Sequence, residues 1–163
     1  MSVVRDHPAV IAPPPLIALA VFVAGLLIDW LLPAYVLDML LSWGTRILLG
    51  AELIGGGVAL IVIAMRAFRA AGTNVEPWKA STALVAGGLY AYVRNPIYVG
   101  MVLILAGLAF LFASDWTLVL TVVAFVPAIH FGVVLREERY LTAKFGEAYR
   151  RYVATVPRYG LRI

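Results

Sequence analysis

Four apolar runs limit what this chain can fold into. They lie at about residues 16–37, 47–65, 97–113 and 116–135. A helix rises about 1.5 Å per residue, so about 20 apolar residues cross the hydrocarbon core of a bilayer. In lipid the backbone must satisfy its own hydrogen bonds, which selects helices. Of the 163 residues, 63% are hydrophobic and 13% charged, whereas soluble domains are roughly 45–50% apolar and about 25% charged. The expected fold class is all-α: an integral membrane bundle of about four transmembrane helices with a C-terminal amphipathic cytosolic helix. The chain is expected to be a single transmembrane domain over residues 1–163.

The polar residues between the runs give the topology. Pro13-Pro14-Pro15 breaks the chain before the first run, which has no convincing small-residue cleavage site after it and reads as a retained span. Arg66, Arg69, Lys79 and Arg94 fall between the second and third runs, and Arg136, Arg139, Lys144, Arg150, Arg151, Arg158 and Arg162 follow the fourth. The positive-inside rule places both segments and both termini in the cytoplasm. The net charge of +4 thus belongs to topology and not to a nucleic-acid partner. The chain has no cysteine, which excludes disulfides, thiolate metal sites and cysteine nucleophiles. Single intramembrane His130 does not make a metal site.

Ser114-Asp115 is too short a connection to give anything but an antiparallel hairpin between the last two runs. The hairpin carries Arg94, just before the third run, to the level of Arg136, Glu137 and Glu138, just after the fourth. Pro96 suits the first turn of a helix, and Asn95 before it suits the cap. Pro127 is expected to kink the fourth span and free a carbonyl near His130. Glu52 should face protein or a cavity, or stay protonated. Asp29 is placed either near the headgroups or facing the bundle, and of Gly55-Gly56-Gly57 the expected role is close helix packing.

Wound as one helix, the tail after Leu135 puts Glu138, Leu141, Phe145, Ala148, Tyr149 and Tyr152 on one stripe and its basic residues on the other. Glu138 on an apolar stripe is either half of a structural ion pair or a carboxylate in a ligand pocket. The clusters bring both charge signs to one cytosolic mouth, with Tyr90, Tyr92 and Tyr98 nearby, which suits a zwitterionic ligand with an aromatic part.

At these clusters the sequence resembles the isoprenylcysteine carboxyl methyltransferase family of integral membrane methyltransferases, related to the phospholipid methyltransferases. The residues that carry the likeness are Gly88-Leu89-Tyr90, Arg94-Asn95-Pro96, Tyr98 and Gly100, then Glu137-Glu138, Leu141, Phe145-Gly146, Tyr149, Tyr152 and Val156-Pro157-Arg158. They span about residues 85–158. Leu89 stands where the family usually has proline, and Asn95 where its eukaryotic members usually have histidine. The small number of spans resembles the prokaryotic members, which places the chain in a prokaryotic plasma membrane.

The resemblance implies S-adenosyl-L-methionine as methyl donor and a lipid-like or lipidated acceptor. It implies catalytic roles for Arg94, Arg136 and Glu138. It implies donor contacts from Gly88, Tyr90, Arg94, Asn95, Pro96, Tyr98, Gly100, Glu137 and Glu138, with no metal. Tyr90 and Tyr98 would be aromatic walls that attract the sulfonium cation. The tail would close over the mouth, with Arg94 and Glu138 on opposite walls. The alternatives are an NADPH-dependent membrane reductase related to the sterol reductases, and a non-catalytic lipid-binding membrane protein.

Overall fold

The computed structural model describes residues 7–160, and every regular element among them is helical. Helix α1 is Pro14–Leu31, α2 Val36–Leu40, α3 Trp43–Ala70, α4 Pro96–Phe112, α5 Asp115–Phe145 and α6 Glu147–Thr155. Among the described residues α1, α3 and α5 are long and apolar enough to cross a membrane, and α4 is a shorter apolar helix of 17 residues. The chain is a helical membrane bundle.

Glycine sets the closest contact in that bundle. Helices α3 and α4 run antiparallel with Gly57 against Gly100 and Gly50 against Gly107. A methyl group added at Gly57 would lie 2.6 Å from the Gly100 carbonyl oxygen, and one at Gly107 would lie 2.7 Å from that of Gly50. Without a hydrophobic drive between helices in lipid, this approach of backbones is a main source of their attraction. Of the glycine run only Gly57 packs so, because Gly55 and Gly56 face open space. Gly100, expected at the donor, is therefore a packing residue of the α3–α4 seam. Glu52 is exposed on α3 and faces neither the bundle nor a cavity.

The far end of the bundle is fixed by two aspartates. Asp29, at the end of α1, accepts hydrogen bonds from the Ser114 hydroxyl and from the Trp116 N–H (3.5 Å). Asp115 accepts from the N–H groups of Val36 and Leu37, at 2.9 and 3.0 Å, and so caps α2. Ser114 caps α5 by accepting from the Thr117 N–H at 3.1 Å. These bonds satisfy helix-start donors that have no intrahelical partner. Gly25 lets α1 lie directly on Thr117.

The helix of the fourth apolar run does not end with that run at Leu135. Helix α5 continues unbroken to Phe145, 31 residues in all, about 46 Å at 1.5 Å per residue. No residue near position 135 can stop it. Gly146 can, with φ 55° and ψ −123°, and the tail restarts there as α6. The break changes the helical phase. Ala148, expected on the buried stripe, is exposed, whereas Tyr149 stays buried and Tyr152 stays half-buried. Two wider turns, Thr121–Phe125 and His130–Val134, flank Pro127 in α5. The carbonyl a proline frees is four residues before it, here Val123 and not a group near His130. The His130 ring instead meets the Tyr159 hydroxyl at 2.9 Å.

The N-terminal segment lies along α5. The Ile11 N–H donates to the Gly132 carbonyl at 3.2 Å, and the Ile11 side chain fills the space that Gly132 leaves.

Candidate functional site

The two polar clusters meet at one end of the bundle. The proline at the first turn of α4, with the non-helical Asn95 before it (φ −126°, ψ 53°), holds Arg94 at the mouth. Helix α5, running past the bundle, presents Glu137 and Glu138 at the same level. Arg94 Nη1 lies 2.7 Å from Glu138 Oε1. Arg158 grips the same carboxylate from the other side, Nε to Oε1 and Nη2 to Oε2, both at 2.8 Å. That bidentate hold raises the Arg158 pKa above its ordinary value. Arg94 and Glu138 are thus in direct contact and do not form opposite walls.

Glu137 has a different environment. Its two oxygens accept from the Tyr98 hydroxyl, at 2.9 and 3.0 Å, and no cation is paired with it among the described residues. The adjacent carboxylates therefore divide: Glu138 is held by two guanidiniums, and Glu137 by one phenol.

A cavity of about 100 Å³ sits over this pair. Tyr90, Arg94, Asn95, Tyr98, Glu137 and Glu138, all singled out in the sequence, line it. Phe68, Tyr149, Tyr152 and the loop 74–85 complete it. Burial pushes the Tyr149 hydroxyl up to about 12, with the Glu138 charge adding to the shift. Burial raises Tyr90 and Tyr152 as well. These phenols stay neutral across the physiological range and serve as aromatic surface and hydrogen-bond donors. The Arg94 Nε is buried with no hydrogen-bond partner, a donor facing nothing that satisfies it.

Helix α6 and the segment after it close the mouth. The Tyr152 hydroxyl donates to the Tyr90 carbonyl at 2.7 Å. The Arg94 N–H donates to the Pro157 carbonyl at 3.0 Å, and the Asn95 side-chain amide to the Arg158 carbonyl at 3.1 Å. Contrary to the expectation from sequence, the Asn95 side chain makes no capping hydrogen bond to α4; its amide nitrogen bonds the strap instead. The loop 74–85 closes the other side. Its shape comes from Thr73 Oγ1, which accepts from the Thr82 and Ala83 N–H groups, and it rests on α5 where the Ser81 N–H meets the Tyr140 hydroxyl at 3.1 Å. Lys79 pairs with Glu76 at 2.6 Å, and its hydrogen bond lowers the Glu76 pKa.

Five expected residues do not line the cavity. Arg136 turns away from both glutamates and donates to the Ala9 carbonyl at 2.6 Å, so it ties down the N-terminal segment. Gly88 is exposed with φ 61°, a left-handed turn that favours glycine. Pro96 is buried at the start of α4, and Gly100 packs on α3. Tyr92, expected near the mouth, is 75% exposed. Arg158 was given no role from sequence, although Val156-Pro157-Arg158 was visible as a motif.

A family signature described as phospholipid methyltransferase matches residues 45–148. The chain belongs to this family. The match takes in nearly all of α3, the loop, α4 and all of α5, the elements that line the cavity together with α6. The chain is also similar to a protein-S-isoprenylcysteine O-methyltransferase of Schizosaccharomyces pombe, at 35% identity over 83 residues. That match covers 45% of this chain and 31% of the yeast protein, so the chain spans about a third of the length of this relative. No solved structure matches the chain.

Proposed function

We propose that the chain is an S-adenosylmethionine-dependent methyltransferase that acts on a lipid-like acceptor at the membrane surface. The observation that carries this reading is Glu137. It is a carboxylate lining a tyrosine-walled cavity, with no cation paired to it among the described residues, beside an arginine that has an unsatisfied donor. A ligand carrying ammonium, sulfonium and carboxylate groups complements all three features.

The residues present fit such a donor in chemistry. Of the two glutamates expected at the donor, Glu137 would accept from its ammonium or a ribose hydroxyl, because Glu138 is already held by two guanidiniums. Arg94 and Asn95 would orient the carboxylate. Tyr90, Tyr98 and Tyr149 would surround the sulfonium with aromatic faces. When bound, S-adenosylmethionine supplies an electrophilic methyl group on sulfur. The cavity's part is to hold that methyl in line with the acceptor and keep water away. Ligand pockets of this type measure about 300–1,000 Å³, so the closed cavity has to widen by movement of the loop 74–85 or the strap after α6. The loop is held to the body by hydrogen bonds, and the strap by hydrogen bonds, the Arg158–Glu138 ion pair and buried Val156.

Calorimetric titration of the detergent-solubilised protein with S-adenosylmethionine, S-adenosylhomocysteine and NADPH tests the reading. Saturable binding of the first two is expected. Binding of NADPH alone would make the chain a reductase, and binding of none would make it a lipid-binding module.

A further inference from the structure

Two features of α3 find no role within a single chain. Glu52 lies about 13 Å from Trp43 and about 21 Å from Arg66 along the helix. It therefore sits inside the hydrocarbon of a bilayer, whose core is about 30 Å thick. It is exposed on the outer face of α3 and has no hydrogen bond or ion pair among the described residues. Gly55 and Gly56 share that face, and a methyl group added to either meets nothing within 4 Å. Ala51 and Ala59 are exposed there too. Ala51, Gly55 and Ala59 recur every four residues and form one ridge of small residues, with Glu52 and Gly56 beside it.

An ionisable side chain within a membrane span is costly against lipid and belongs against protein or water. Small residues on such a helix let a second backbone come close. The inner face of α3 shows this already, where Gly50 and Gly57 bring α4 into backbone contact. The outer face carries the same kind of surface, a carboxyl group in addition, and no helix of its own chain.

We infer that this outer face of α3 pairs with the same face of a second copy of the chain, with Glu52 bonded to Glu52 of the copy. Orientation decides the occupant. The basic segments insert every copy the same way, so the symmetry axis of a pair runs along the membrane normal. The two α3 helices are then parallel, with equal residues at equal depth. A carboxyl O–H donates and a carboxyl oxygen accepts, so two such groups complement each other. Asp29 and His130, which could offer a copy an alternative, are bonded to Ser114 and Tyr159. Backbones that cross near Gly55 at about 40°, as small-residue contacts in membranes do, also carry Arg66 and its copy apart.

The chain has no cysteine, so single introduced cysteines report contacts between copies. In phosphatidylcholine vesicles, copper phenanthroline should oxidise Gly55→Cys and Ala59→Cys to disulfide-linked dimers. Val122→Cys, at a position 64% exposed on α5, should stay monomeric. Energy transfer between copies labelled at a cysteine appended after Ile163, followed as lipid dilutes the protein, gives the affinity. Glu52→Leu should weaken it about threefold to twentyfold, the range for hydrogen bonds between helices in lipid. Glu52→Gln, whose amide also donates and accepts, should keep most of it. Gly55→Leu should abolish pairing, whereas Gly56→Ala adds no more bulk than Ala51 and Ala59 already present and should be tolerated. Circular dichroism of each variant separates loss of pairing from loss of fold. Three results would overturn the inference: no energy transfer from the unaltered protein, cross-linking of Val122→Cys as efficient as that of Gly55→Cys, or full affinity in both Glu52→Leu and Gly55→Leu. The first of these would give the face to a helix of another protein.

Discussion

Arg94 Nη1 and Glu138 Oε1 are 2.7 Å apart across 44 residues of sequence. This contact joins the start of α4 to the protruding part of α5, and Arg158 adds the end of the chain to it. Side-chain exposure is 8% for Arg94 and 18% for Glu138, against 34% for Arg158. The pair is therefore part of the structure that holds the mouth together.

Glu138→Gln leaves two guanidiniums facing each other with no carboxylate. Breaking a largely buried pair in this way costs about 3 kcal/mol or more. Arg158→Gln removes the more exposed partner and should cost about 1 kcal/mol, near the upper end for exposed pairs. Denaturant titration in detergent, followed by tryptophan fluorescence, measures both. Equal losses would mean that Arg158 alone accounts for the stability drawn from the carboxylate and that Arg94 adds nothing.

The α3–α4 seam makes a second prediction. Gly57→Ala forces a methyl group into the Gly100 carbonyl and should destabilise by about 1–3 kcal/mol, the usual range for overpacking. Gly56→Ala meets open space and should be neutral or slightly stabilising, since alanine is the better helix former. Thermal unfolding of the two variants side by side checks this contrast.

Alkaline pH should loosen the mouth. The Tyr149 hydroxyl is raised to about 12 by burial, so the folded state holds its proton more tightly than the unfolded chain, where a tyrosine titrates near ~10. Its contribution is complete below the unfolded value and is lost as pH rises from there through about 12. Stability measured against pH should fall across that window, and Tyr149→Phe should make the fall shallower. An unchanged slope in the variant would assign the alkaline loss to the other raised phenols.

Much of this arrangement was legible in the sequence because it follows from spacing. The apolar runs gave the helices, and the short Ser114-Asp115 turn brought Arg94 to Glu138. Pairing was less legible. The sequence could not show which glutamate Arg94 would take, because Glu137 and Glu138 are adjacent and only the rotation of α5 separates them. Arg136 was drawn to the site by proximity, yet the N-terminal segment captures it through Ala9, a contact 127 residues away in the chain. The wheel drawn through the tail failed at Ala148 because Gly146 resets the helical phase. Gly100 looked like a ligand contact because it lies among ligand-type residues, and only the packing on Gly57 shows what it does.

Orientation in the membrane is open to a direct measurement. The basic segments predict that the mouth and the C-terminus lie in the cytoplasm, with Ser114 outside. Alkaline phosphatase fused after Ser114 should be active, and a fusion after Ile163 inactive. Activity of both, or of neither, would contradict the hairpin.

Glu137, and not Glu138, is the carboxylate proposed to meet the cationic part of the donor. Isothermal titration with S-adenosylmethionine tests it in the unaltered protein, in Glu137→Gln and in Glu147→Gln. Saturable binding to the first is expected. Glu137→Gln should be weaker by about 1.5–3 kcal/mol, the range for hydrogen bonds to charged groups. Glu147→Gln, altered on the outer face of α6, should match the unaltered protein. Absence of binding to the unaltered protein, or full affinity in Glu137→Gln, would contradict the account.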